Sequence, residues 1–465
     1  MKTLKTMPNR MSRKTLLALL VALSLPVAGT AQAKPKPAGP PASLEIVVVG
    51  DVMLNRSNLQ VRPDGVLEGR SALPWAQMSS KIRHLIDGDL NFMNLETVVT
   101  ERNDLKPGDK RQTTPFLFRT HPNAVEHLLD VGFNLISAAN NHAYDYGEEG
   151  AKETISHLQR LTEAAPGTVY SGIGLNDQEA GRPATTWVRG LKVAFSSIGI
   201  VTNMLTFHRA KANKAGTLGF RHKEDWENSL SQLEGADAGL KLLSVHYGIE
   251  REIRTDDRQR TEFRKAVGTR GADMVIGHHA HVVRGIELHQ GKLIFYGLGN
   301  FLIRGAANMG KKPSMRTCCD FGLLAKVHMM RSGDGYKVAA VEAVPIFDMH
   351  RIPRVLSPQE AGKRIEVLNV LAEALDNPKV GSVGVRFAIQ PDGRGLYCSP
   401  DAGSATASIR KLCSDYSGPS PVSAEIRRRV KAAPDPKKAK NKAKSKKAAQ
   451  RKRKRAKARR RLNKR

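Results

Sequence analysis

Side chains that can bind a hard metal ion stand at the ends of several apolar runs of this chain. The runs begin at Ile46 and recur as far as Met274, so the pattern covers about half of the 465 residues. The side chains are carboxylates, an amide and imidazoles: Asp51, Glu96, Asn141, His246, His279 and His281. Because open α/β sheets bind ligands at the carboxyl ends of their strands, we expect these groups to meet at one sheet edge.

The chemistry of this set is that of a divalent metal site. Two ions about 4 Å apart, bridged by a carboxylate, support metal-dependent hydrolysis. Mixed carboxylate and imidazole ligands suit Mn²⁺, Fe or Zn²⁺, and the sequence selects neither the metal nor one ion over two. His279 and His281 can face the same way only if the chain turns or if both lie on one strand face.

Each motif also has an ordinary structural explanation. Asp51 after Gly50 is typical of a capped turn, and Asn140 with Asn141 fits a turn with positive φ. His246 in an apolar context fits a hydrogen-bonded core histidine. The combination of these motifs, each at the end of an apolar run, favours a shared site.

The elements that must position these residues alternate between strands and helices. Apolar runs of four to seven residues predict buried strands, and amphipathic stretches predict helices over Trp75–Ile86, Pro122–Val131, Glu148–Leu161, Lys223–Leu233, Gln259–Arg270 and Ser357–Asp376. Period-two alternation predicts hairpins within Thr185–Ile198, Val282–Tyr296 and Gly322–Val344. This alternation indicates a layered α/β fold, with parallel strands early and antiparallel pairs later.

The N-terminus has the three parts of an export signal. A basic region ends at Lys14, the apolar stretch Leu16–Val27 has 12 residues, and Ala31–Ala33 is a small-x-small cleavage site. We therefore expect a signal peptide over residues 1–33 and a periplasmic or extracellular protein. The alternative is an uncleaved N-terminal anchor, although the apolar core is shorter than the roughly 20 residues of a membrane span.

Composition divides the rest of the chain. Residues 34–43 form a Pro-rich linker, 44–350 the main domain, and 351–426 a helix with a loop-rich extension. Residues 427–465 hold 22 Lys/Arg against one acid, which places +21 of the +31 net charge in a tail that we expect to be disordered. Such a tail can bind an anionic polymer or an anionic membrane surface. A nucleic-acid role conflicts with the export signal.

The four cysteines permit disulfides in an oxidising compartment. Cys398 and Cys413 would close a loop of 16 residues. Cys318 and Cys319 are adjacent, so they can bond to each other or cross-pair with the later two. Their spacing is not that of a zinc site.

The chain resembles the CapA family of poly-γ-glutamate capsule synthesis proteins in six segments that follow the family order: GDVMLNR, NLETVVT, SAANNHAYDYG, SVHYGIE, IGHHAHVVRGIE and IFYGLGNFL. That family is a branch of the calcineurin-like metallophosphatase superfamily. The resemblance covers Leu44 to about Phe347. It implies a metallo-dependent phosphatase-like fold, a four-layer α/β/β/α sandwich with its site in the loops of the two sheets.

The resemblance also implies a role for each residue. Asp51 corresponds to the first-site or bridging aspartate, and Glu96 stands where the superfamily has its metal-bridging aspartate. The remaining metal ligands would be Asn141, His246, His279 and His281. His142 corresponds to the histidine that polarises a substrate oxygen or acts as general acid, and Asp145 would orient it.

One residue departs from the superfamily pattern. Met53 stands where many members have a histidine ligand, and a thioether is a poor ligand for these metals. The first metal site is therefore expected to be weak, differently built or empty. The leading hypothesis is a metal-dependent hydrolase that makes or processes poly-γ-glutamate or another envelope polymer. The alternative is a non-catalytic protein that binds or exports an anionic polymer through its basic tail.

Overall fold

The computed structural model describes residues 39–68, 71–199, 207–304 and 315–434, which belong to one compact unit. The predicted signal peptide, residues 34–38 of the linker and residues 435–465 of the basic tail lie outside the described residues. Among the described residues, no helix combines the length and the apolar character that crossing a bilayer would require.

The described strands, in chain order, are β1 Ser43–Met53, β2 Val66–Glu68, β3 Ser71–Leu73, β4 Leu90–Leu95, β5 Val98–Val99, β6 Arg119–Thr120, β7 Leu135–Ser137, β8 Val169–Ser171, β9 Ile173–Gly174, β10 Ala184–Val188, β11 Leu191–Ile198, β12 Gly216–Thr217, β13 Leu240–His246, β14 Met274–His278, β15 Ile286–His289, β16 Lys292–Phe295, β17 Asn300–Ile303, β18 Gly322–Ser332, β19 Gly335–Phe347, β20 Arg354–Val355, β21 Ser382–Gly384, β22 Ala388–Ile389 and β23 Gly395–Cys398.

The described α-helices are α1 Trp75–Ser79, α2 Pro122–Val131, α3 Gly147–Ala164, α4 Asp177–Gly181, α5 Lys223–Glu234, α6 Asp257–Gly268, α7 Pro358–Glu373, α8 Ala407–Leu412 and α9 Ala424–Lys431. Each of the six predicted helices is present. The first is shorter than predicted, because α1 gives way to a 3₁₀ turn at Arg83–Leu85.

Most strands join two large sheets. The first has the order β22-β23-β19-β18-β1-β4-β7-β8, with β17 beside β1 and β20 beside β19. The second has the order β10-β11-β13-β14-β16-β15-β21. Strands β1, β4, β7 and β8 run parallel, as do β11, β13, β14 and β16. The three predicted hairpins are confirmed as the antiparallel pairs β10–β11, β15–β16 and β18–β19.

Side-chain alternation along the strands builds the layers. Successive residues of a strand face opposite sides of its sheet. Ile46 and Val48 of β1 therefore pack in a core shared with Leu242 of the second sheet, whereas Val47 packs with helices α2 and α3. In the second sheet, Leu243 packs in an outer core with α5 and α6. The predicted four-layer α/β/β/α sandwich is confirmed.

The segment after residue 350 is more ordered than its composition indicates. It supplies α7, adds β21 to the second sheet, and adds β22 and β23 to the first. A disulfide joins Cys398 to Cys413, and a second joins Cys318 to Cys319. Of the pairings that the sequence leaves open, the structure has these two.

The composition predicts that the disordered basic tail begins at Arg427, but Arg427 lies within a packed helix. Ile426 and Val430, four residues apart, are buried against the core that contains α7, and they anchor α9. Arg427 itself pairs with Glu373 at 2.8 Å. Two apolar residues at helical spacing outweigh the charge of their neighbours, so the packed structure continues through Lys431.

A cross-strand ionic cluster in the first sheet gives a pH-dependent stability. His328 Nε2 lies 2.8 Å from Glu342 Oε1, and His328 Nδ1 lies 3.5 Å from Glu45 Oε1. Burial alone would lower the pKa of His328, but the hydrogen bonds to these carboxylates raise it above 6.5. The stabilisation is therefore full below pH 6.5 and is lost as the pH rises through the raised pKa.

We expect His328→Gln to lower the free energy of unfolding by about 1–2 kcal/mol at acidic pH and by less at alkaline pH. Urea unfolding across this pH range measures the difference, with the exposed His84→Gln as control. A loss that is constant with pH would contradict a charged His328.

Candidate functional site

The predicted ligands meet where strands of both sheets end. Asp51 lies in β1 at a bulge, and its backbone N–H donates to Gly299 O at 3.1 Å. A Cβ on Gly50 would lie 1.8 Å from that same oxygen, so only glycine lets the two segments approach this closely. Glu96 directly follows β4, and His246 is the last residue of β13.

The closing histidines reach the site because the chain turns after β14. His279 has a φ of 90° and His281 a φ of 55°, both in the left-handed region that non-glycine residues rarely adopt. These conformations direct both imidazoles toward Glu96 and His246 rather than to opposite faces. Left-handed backbone of this kind costs free energy and often marks a functional site.

One group of ligand atoms comes from Asp51, Glu96 and His281, which together could hold an ion. His281 Nδ1 lies 3.2 Å from Asp51 Oδ2, and His281 Nε2 lies 3.9 Å from Glu96 Oε1. Asn300 Oδ1 lies 2.8 Å from His281 Nδ1 and fixes the ring. The buried Met53 contributes no hard ligand, so this group has fewer donors than the second.

The second group converges on His246 Nε2. Asn141 Oδ1 lies 2.6 Å from this nitrogen, His279 Nδ1 lies 3.0 Å away, and Glu96 Oε1 lies 3.4 Å away. Glu96, His246 and His279 together could hold an ion, and Glu96 belongs to both groups. The structure thus brings all six predicted ligands together, with Glu96 in the central position.

Glu96 is the clearest sign that a cation belongs here. Its side chain is 1% exposed, yet neither carboxylate oxygen has a hydrogen-bond partner. An unpaired buried carboxylate is costly, and nearly all buried polar atoms in proteins are satisfied. A divalent ion bound by Glu96 and the surrounding oxygen and imidazole donors would remove this cost, so the residues fit a metal.

The pKa shifts of the cluster are also those expected of a metal site. Burial, together with the negative charge of Asp51, raises the pKa of Glu96 to about 8. Burial alone would lower the pKa of His281, but Glu96 and Asp51 raise it to about 10. Burial lowers the pKa of His246 to about 3 and that of His279 well below its usual range, so both imidazoles are neutral and can donate a lone pair.

The predicted pair of His142 and Asp145 is also present. His142 Nδ1 lies 2.7 Å from Asp145 Oδ2, which leaves His142 Nε2 directed toward Glu96 at 3.9 Å. Lys110 is buried beside them and contacts both Asp145 Oδ1 at 2.5 Å and the carbonyl oxygen of Asn141 at 3.0 Å. Burial favours a neutral Asp145, but His142 and Lys110 hold its pKa below the usual value.

Three residues of the site were not predicted from the sequence. Asn94 donates to Asp51 Oδ1 at 2.8 Å, and His278 Nδ1 lies 2.6 Å from His246 Nδ1. Asn94 lies on β4 two residues before Glu96, and His278 adjoins His279, so position relative to a ligand was an available signal. Lys110 comes from an irregular polar loop, and nothing in the sequence indicates that it reaches the site.

This fold and its buried carboxylate–imidazole cluster define a class of protein. The chain matches the family of bacterial capsule synthesis proteins (PGA_cap) over residues 45–304, and it belongs to that family. The match includes every predicted ligand.

Two individual relatives of the chain are named as PGA or capsule biosynthesis proteins. The chain is 29% identical to the PGA biosynthesis protein CapA of Bacillus subtilis over 55% of this chain and 60% of that protein. It is 29% identical to the capsule biosynthesis protein CapA of Bacillus anthracis over 38% of this chain and 42% of that protein. The chain therefore spans only about half the length of these curated relatives.

A solved structure of a phosphatase from Mycoplasma pneumoniae is similar over 65% of this chain and 93% of that chain, with a TM-score of 0.37 and 13% identity. The layer order described above rests on the strands and helices of this chain alone.

Metal binding at this cluster should release protons. The raised pKa values mean that Glu96 and His281 hold protons at neutral pH that a divalent ion would displace. We expect Mn²⁺ affinity to rise as the pH rises through about 8, and at least one proton to leave per binding event at neutral pH. Calorimetric titration in buffers of different ionisation enthalpy measures this release. A binding heat that is independent of the buffer would contradict it.

Proposed function

We propose that this protein is an extracytoplasmic, metal-dependent hydrolase that acts in the synthesis or processing of poly-γ-glutamate or another anionic envelope polymer. The observation that supports this proposal most strongly is the buried Glu96 carboxylate, unpartnered and shared by two groups of ligand atoms. Membership of the capsule synthesis family supports the polymer class. The export signal in the sequence supports the location.

Each residue of the cluster has a task in this account. Asp51, Glu96 and His281 would hold one ion, and Glu96, Asn141, His246 and His279 the other. A divalent ion here supplies Lewis-acid polarisation of a substrate oxygen and a nucleophilic water at neutral pH. The ligands lie within a strand or within four residues of its end, and such rigid elements preserve ligand geometry.

His142 is suited to proton transfer at its Nε2 atom. Its Nδ1–H donates to Asp145, and this hydrogen bond fixes both the ring orientation and the tautomer. Lys110 neutralises Asp145, and Phe118 packs on the imidazole with ring centroids 4.3 Å apart. The Nε2 atom is therefore the one that can give a proton to the leaving group or take one from an attacking water.

The test is hydrolysis by the Mn²⁺-loaded protein of poly-γ-glutamate and of a phosphodiester. We expect Glu96→Gln to lower kcat by at least about 100-fold, since loss of metal polarisation removes several kcal/mol of transition-state stabilisation. His142→Asn should lower kcat by about 100- to 10,000-fold while Mn²⁺ binding is retained. Glu342→Gln, a buried acid of the first sheet that pairs with His328, is the control and should retain activity. Undiminished hydrolysis in Glu96→Gln would disprove the mechanism.

A second function, polymer binding without catalysis, is favoured by two observations. Met53 leaves one group of metal ligands short of a donor. Helix α9 ends in the basic residues Arg428, Arg429 and Lys431, and the sequence continues into the Lys/Arg-rich tail. A polycation of this kind would bind an anionic polymer by releasing counterions.

A truncation after Pro434 removes most of the basic residues and keeps α9, whose Ile426 and Val430 pack on the body. We expect this truncation to weaken retention on immobilised poly-γ-glutamate and to flatten its dependence on salt. A full-length variant with Gln at the Lys and Arg positions after Pro434 separates charge from chain length. Equal retention of all three proteins would exclude the tail as a polymer-binding element.

A further inference from the structure

Behind the candidate metal ligands lies a chain of hydrogen-bonding groups made of His246, His278 and Ser244. His278 Nε2 lies 2.7 Å from Ser244 Oγ, and His278 Nδ1 lies 2.6 Å from His246 Nδ1. All three residues are fully buried or nearly so. The parallel register of β13 and β14 pairs His246 with His278 directly, so strand pairing sets this contact.

At this distance, one of the two Nδ1 atoms must carry a proton and the other must not, since two lone pairs or two N–H groups would repel each other. If the proton belongs to His278, then His246 carries its own proton on Nε2, the atom that faces Asn141 and Glu96. If the proton belongs to His246 Nδ1, then Nε2 is bare toward Asn141 and Glu96. Only the second arrangement leaves a lone pair for a metal ion.

A cation between His246, His278 and Asp51 would be the alternative explanation of their proximity. The amide of Asn94 argues against it. Asn94 Nδ2 donates to Asp51 Oδ1 at 2.8 Å, so an N–H group already occupies the carboxylate oxygen that faces both histidines and that such a cation would need. The contact of Asn94 Oδ1 with Asn140 Nδ2 at 3.4 Å supports this amide orientation.

We propose that His278 is a positioning residue: it accepts a hydrogen bond from the Nδ1–H of His246, donates its own Nε2–H to Ser244 Oγ, and thereby keeps the bare Nε2 of His246 directed at the metal. This inference rests on the proposed metal site. A histidine ligand commonly donates its second N–H to a neighbouring acceptor, and loss of such an acceptor typically lowers metal affinity about 10- to 100-fold.

The experiment is titration of the metal-stripped protein with Zn²⁺, followed by calorimetry. His278→Leu should weaken Zn²⁺ binding about 10- to 100-fold at the position that uses His246. His278→Asn, whose Oδ1 can accept the same proton, should lose less. His289→Leu is the matched control, because His289 is a buried histidine whose Nδ1 contacts Ser382 Oγ at 2.8 Å outside the site. The control should bind Zn²⁺ as the wild type does.

Nuclear magnetic resonance of the Zn²⁺-loaded wild type gives a second readout that does not depend on a variant that folds. It should show His246 protonated at Nδ1 and His278 protonated at Nε2. A folded His278→Leu that binds Zn²⁺ with wild-type affinity, or a loaded wild type in which His278 carries its proton on Nδ1, would overturn the inference alone. A wild type that binds no divalent metal would instead overturn the proposed function, and this inference with it.

Discussion

The whole site depends on a carboxyl group that the fold buries without a hydrogen-bond partner. Glu96 is nearly inaccessible, and both of its carboxylate oxygens lack a donor. Such a group is tolerated only if it takes up a proton or meets a cation. The surrounding groups are arranged for the cation: Asp51 adds a second carboxylate, and burial keeps His246 and His279 neutral with lone pairs available. A metal ion would satisfy all of them together.

The sandwich fold holds this cluster at the ends of rigid strands. Strands β1 and β4 of one sheet and β13 and β14 of the other deliver ligands from opposite sides. The left-handed backbone at His279 and His281 costs local free energy that the packed core offsets. His142 forms a separate group with Asp145 and Lys110, so the proposed proton transfer and the proposed metal binding would use different side chains.

Much of this arrangement is predictable from the sequence because each ligand follows an apolar run that becomes a strand. The helices follow from 3.6-residue periodicity and the hairpins from alternation. Lys110 could not be predicted, since the path of an irregular loop brings it to the site. His278 adjoins a predicted ligand, but its contact with His246 depends on the register between β13 and β14, which the sequence does not show. The short strands β21, β22 and β23 have too few residues to show a period. In α9, the two apolar residues were concealed by a surrounding Lys/Arg-rich composition.

The measurement that tests the central claim most directly is anomalous X-ray diffraction from crystals of the protein grown with Mn²⁺ or Zn²⁺. The account predicts an anomalous peak about 2.0–2.2 Å from a Glu96 carboxylate oxygen, with His246 Nε2 among its ligands. Crystals that show no metal at this position, with Glu96 protonated and hydrogen-bonded to water, would contradict it.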